Sequence, residues 1–171
     1  LGITINANNG AFRVLNFDNG VAGTITVGIN KLNLIGGNVP GAGGGIRSLE
    51  NLTITNSTIT GNRASTEGGG LYQTTGSLTI TGSTISSNMA GSDGGGIYVR
   101  SAPTFTLTNS TVSTNSAADD GGGVYMDLVT TATITGSTVS GNSAVTEGGG
   151  IYIDRTTNAT VISSTISGNR T

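Results

Sequence analysis

Carboxylates recur along this chain at a spacing that invites a cation. Glu67, Asp93, Asp120 and Glu147 each stand immediately before three glycines, with Asp119 beside Asp120. If the chain coils once per repeat, these charges lie one above another about 4.8 Å apart, where they repel by roughly 1 kcal/mol even in water. Calcium is the natural counter-ion, because it takes carboxylate and carbonyl oxygens and glycine leaves its carbonyl uncovered. Solvated turn residues screened by salt account for the same row without an ion. A second row is aromatic: Tyr72, Tyr98, Tyr125 and Tyr152, with Arg47 and Arg13 continuing it toward the N-terminus. Rings one strand spacing apart can stack, with Arg47 over Tyr72. Such a strip suits a glycan, and it is equally explained as a stabilising cross-strand ladder. A third row, Arg100, Asp127 and Asp154 with Arg155 alongside, reads as surface ion pairs of small worth. As catalytic groups, an arginine base with acidic metal ligands would be lyase-like, but a lyase needs a walled groove and the connections here are short.

These rows exist only if something stacks them, and the sequence supplies it. Gly94-Gly95-Gly96-Ile97-Tyr98 has copies beginning at Gly43, Gly68, Gly121 and Gly148, a period of about 25 to 27 residues. Between the copies lie Leu78-Thr79-Ile80-Thr81 and Ser83-Thr84-Ile85-Ser86, with equivalents in every repeat. Strands this short are not stable alone. Coiled into a turn of three strands, each pairs in parallel with its equivalents above and below, aliphatic residues inward and Thr, Ser and Tyr outward. Six turns would span about 29 Å.

Residues 1–42 read as irregular N-terminal turns of the same single domain, 1–171, with strands at Ile3-Thr4-Ile5, Phe12 to Leu15, Gly23 to Val27 and Leu32 to Ile35; residues 43–171 are the regular repeats. Each third strand ends in an asparagine: Asn62, Asn88, Asn115, Asn142 and Asn169, with Asn38 and Asn9 as irregular earlier members. Stacked amides can bond along the axis, so this row is structural. Thr53 and Thr55, Thr79 and Thr81, Thr106 and Thr108, Thr133 and Thr135 form a flat hydroxyl array that resembles the faces of β-solenoid ice-binding proteins. The array is interrupted at Ile162, and threonine is also simply a good exposed strand residue.

Composition narrows the function. The chain of 171 residues is only 9% charged and 4% aromatic, carries thirty glycines and a net charge of −2, and has neither histidine nor cysteine. There is no basic patch for nucleic acid, no apolar run long enough for a membrane span, and the commonest acid–base group is missing. The chain opens at Leu1 without signal-peptide architecture, which reads as a mature or excised segment.

The repeats quoted above resemble the right-handed parallel β-helix repeats of bacterial secreted and surface proteins, including polymorphic outer-membrane-protein-like repeats and the pectate-lyase-like superfamily in the broad sense. The resemblance implies an all-β, right-handed, single-stranded parallel β-helix. Its members include adhesins, filament-like proteins and polysaccharide-cleaving enzymes. The expectation is therefore a non-catalytic structural or adhesive module, extracellular or at the cell surface, with no cofactor unless calcium. Its partners would be further copies stacked end to end, since both ends read as uncapped, or surface glycans. Glycan binding, ice binding and a lyase fragment are the alternatives.

Overall fold

Alternation builds the coil. In Asn51–Thr55, Leu52 and Ile54 are fully buried while Thr53 and Thr55 are half-buried, and the pattern returns in Leu78–Thr81, Thr104–Thr108 and Thr131–Thr135. A face that is apolar on one side only must find cover. Here it finds it across the axis of its own coil.

The computed structural model describes residues 2–21 and 25–171. Among these, all regular structure is β. The first sheet has six strands, from Leu15–Phe17 through Ile46–Ser48, Leu71–Thr74, Ile97–Arg100 and Val124–Asp127 to Ile151–Asp154. The second has six, from Thr26–Asn30 to Asn158–Ile162, and the third seven, from Ile3–Asn6 to Thr165–Ser167. Pairing is parallel and joins each strand to its equivalents one turn away, as in Leu71 with Ile97 and Ile97 with Val124. The N-terminal strands obey the same register: Leu15 lies beside Ile46, Val27 beside Leu52 and Ile5 beside Leu34.

The core is a set of aliphatic columns. Ile46, Leu71, Ile97 and Val124 form one, and Leu34, Ile59, Ile85, Val112 and Val139 another. Phe105, fully buried, lies between Leu78 and Ala132, so a large ring is offset by a small neighbour. The corner before the first sheet needs its three glycines for separate reasons. Gly94 has φ +65, and a Cβ on Gly95 would collide with the carbonyl oxygens of Ser116 and Gly122. On Gly96 it would lie 2.6 Å from the Gly123 carbonyl oxygen and 2.9 Å from Asn115 Nδ2.

Four expectations are corrected. The turn has a fourth sheet: Asn38–Val39, Arg63–Ala64, Met89–Ala90 and Ser116–Ala117, continued by bridges at Ser143 and Arg170. Two-residue strands carry too little alternation to be seen in sequence. The strand expected at Phe12 to Leu15 runs instead over Leu15–Phe17, which puts Asn16, not Arg13, in register with Arg47. Asn38 pairs with Arg63 and so stands one position off the asparagine row, where Gly37 takes its place; Asn9, in a left-handed turn, is likewise outside it. The first serine of each third-strand segment points inward, with Ser57, Ser83, Ser110 and Ser137 only 2–4% exposed. Gly23 and Thr24, expected to open a strand, lie outside the described residues.

Candidate functional site

Inside the coil the asparagine row is a continuous hydrogen-bonded ladder. Asn62 Nδ2 donates to Asn88 Oδ1, Asn88 to Asn115 and Asn115 to Asn142, each at 3.0 Å, and Asn142 donates to Asn169 at 2.9 Å. The same Oδ1 atoms accept backbone N–H groups, and the amides also reach buried carbonyls such as Ile85 O. A serine ladder runs beside it: Ser83 N donates to Ser110 Oγ at 3.1 Å, and Ser110 N to Ser137 Oγ at 3.1 Å. Each hydroxyl donates to a carbonyl two residues back, as Ser110 does to Thr108. These ladders satisfy the backbone where the coil bends inward. Strand alternation, applied to Ser57-Thr58-Ile59, already puts Ser57 on the face of Ile59. The polarity of serine pointed the other way.

Outside, the tyrosines are in register, with ring centroids 5.2, 5.0 and 5.2 Å apart and planes within 5°, 8° and 24°. Stacking leaves Tyr98 only 5% exposed. The faces of Tyr98 and Tyr125 are covered by neighbouring rings, so a sugar there would meet ring edges. Burial pushes the Tyr125 hydroxyl up to about 12, helped by Asp93 and Asp127, and pushes Tyr98 up further. Arg47 is in register with Tyr72, but its guanidinium turns to Asp18 Oδ2 at 3.2 Å.

The acidic row is aligned as well, because the backbone N–H of each following glycine bonds to the acid one turn on: Gly68 to Asp93 O, Gly94 to Asp120 O and Gly121 to Glu147 O. Carboxylate oxygens of Asp93, Asp119 and Asp120 lie within 4.8 Å of one another. Much of their capacity is used within the protein. Asp93 Oδ1 accepts Asp120 N at 3.1 Å, Asp120 Oδ1 accepts Glu147 N at 2.9 Å, and Asp119 Oδ1 accepts the Thr146 hydroxyl at 2.7 Å. Backbone donors thus offset part of the repulsion along the row. Asp120 nevertheless titrates above its ordinary range, first through burial and then through Asp119.

The third row departs from its reading as surface pairs. Asp127 is 3% exposed, and its Oδ2 receives Arg100 Nε at 3.3 Å and Arg155 Nη2 at 2.9 Å. Arg155 also reaches Asp154 at 3.0 Å from a left-handed backbone of φ 41. A buried carboxylate between two arginines costs far more to break than an exposed pair. The threonine array is aligned as expected: Thr53, Thr79, Thr106 and Thr133 in one column, Thr55, Thr81, Thr108 and Thr135 in the next, ending at Ile162 and preceded by Gly28 and Asn30. Glu50, fully buried, was not anticipated; its carboxylate accepts Asn19 N and Ile25 N and ties down the N-terminal loop.

Parallel strands stacked turn on turn, with ladders inside and rows outside, define a β-solenoid. A family model described as a right-handed β-helix region matches residues 1–171, and the chain belongs to that family. No curated protein and no solved structure matches it.

Proposed function

We propose that this protein is a non-catalytic structural or adhesive β-solenoid, working outside the cell or at its surface, of the kind found in bacterial surface proteins. The observation that carries the reading is the continuity of its ladders. Amide, hydroxyl and phenol rows run in register through successive turns and are joined by short connections, a construction that favours a stiff rod with repeating faces over a deep reaction chamber. In this reading the rod presents its rows to a partner, and further copies of the chain, or further turns, extend it along the axis. Electron microscopy of the native assembly tests this, with fibres or surface rods expected. Turnover of an acidic polysaccharide, lost on Asp127→Asn with the fold retained, would overturn it.

Within the same proposal the acidic row takes calcium at Asp93, Asp119 and Asp120. Calcium added against chelator is expected to raise Tm, and the rise should vanish in Asp119→Asn. Glycan recognition along the tyrosine strip is the alternative, and it would depend on ring edges and hydroxyls. A glycan array comparing the wild type with Tyr125→Phe distinguishes the two.

A further inference from the structure

The chain has two methionines, and the coil treats them oppositely. Met126 is inside, 1% exposed, in a first-sheet column with Val99 and Ile153. Met89 stands on the fourth sheet, 44% exposed, in register between Arg63 one turn before and Ser116 one turn after. Its sulfur is 3.0 Å from Arg63 Nη1. A thioether is a weak acceptor, so this guanidinium N–H points at an atom that makes little use of it.

We infer that Met89 is a site of reversible oxidation by hydroperoxides, and that Arg63 is placed to receive the product. In the reaction a sulfur lone pair attacks the terminal peroxide oxygen, the O–O bond breaks, and one oxygen is transferred. Methionine becomes the sulfoxide while hydrogen peroxide leaves as water. The sulfoxide oxygen is a strong acceptor, and from Arg63 it would take a charge-assisted hydrogen bond linking two successive turns. Oxidation of a core methionine disrupts packing, whereas sulfoxide on an exposed strand position disturbs no core, and reductases that act on methionine sulfoxide reverse it. Oxidation at Met89 therefore tightens the rod.

The experiment treats the folded protein with hydrogen peroxide and follows both methionines by mass spectrometry of tryptic peptides. Cleavage after Arg63, Arg100 and Arg155 puts Met89 on residues 64–100 and Met126 on 101–155. Met89 is expected to gain one oxygen at least about tenfold faster than Met126, since access governs susceptibility. The singly oxidised wild type is expected to melt higher than the untreated protein, by about 1–3 °C. In Arg63→Ala, whose altered residue is exposed and leaves the core intact, oxidation should still occur without the rise. Equal oxidation of both methionines, or the same Tm change with and without Arg63, would overturn the inference.

Discussion

The asparagine ladder and the acidic row run along the same axis, start from neighbouring parts of every repeat, and are both columns of short polar side chains, yet they do opposite work. Asn115 is 1% exposed and both donates to and accepts from the turns around it. Its amide carries donor and acceptor together, so identical residues can bond head to tail without limit. Asp120 carries acceptors only. A column of carboxylates cannot bond to itself, so Asp93 and Asp120 each borrow a backbone N–H from the next turn and the remaining charge stays at the surface. A repeated residue becomes scaffold when its chemistry is self-complementary and remains available to a partner when it is not.

That contrast can be broken at its strong side first. Asn115→Ala leaves Asn88 N, Asn88 Nδ2 and Ile85 O without their partner in the interior, and should cost roughly 3–5 kcal/mol in chemical denaturation. A loss below 1 kcal/mol would mean that water replaces the ladder. The tyrosine strip is intermediate, self-complementary through its faces: Tyr98→Ala removes two ring contacts and should cost about 2–3 kcal/mol. Alkali tests the same strip. With folded tyrosines titrating above their ordinary 10.0, the unfolded chain ionises first, so their contribution is intact below pH 10 and is lost as pH rises through about 12. Melting curves should show that loss, and Tyr98→Phe with Tyr125→Phe should flatten it. The acidic row gives the smallest effect. Asp120 titrates high when folded, so its charged form opposes folding and stability rises as pH falls through its folded pKa toward the ordinary 3.8. Without added calcium, Asp120→Asn keeps an acceptor for Glu147 N and should raise Tm at neutral pH by about 1–2 °C.

Much of this was legible in the residues. The recurrence of Gly94-Gly95-Gly96-Ile97-Tyr98 specifies the coil, and a fixed period puts tyrosine over tyrosine before any coordinate is known. What escaped has a common cause. Asn38 is an asparagine near the right place for the ladder, but a shift of one residue at a corner moves it onto the fourth sheet, and register is not carried by residue type. Arg13 failed in the same way. Ser57 and Asp127 read as outward on polarity, whereas their burial depends on partners, the Leu32 backbone N–H and two arginines, that lie one turn away. Ladder partners are some 26 or 27 residues apart in sequence, so no local window contains both.

The common register of all four sheets also sets the unit in which such a gene can change length. Removing one whole turn, such as residues 94–120, would join Asp93 to Gly121, bringing Tyr72 beside Tyr125 and Asp93 against Glu147 with every column still matched in kind, and a shorter rod would result. Removing a single residue from Thr111–Ser113 would turn Val112 and its neighbours to the wrong face in that turn and throw the columns above it out of step. Insertions and deletions should therefore be tolerated in this protein by the turn and rejected by the residue.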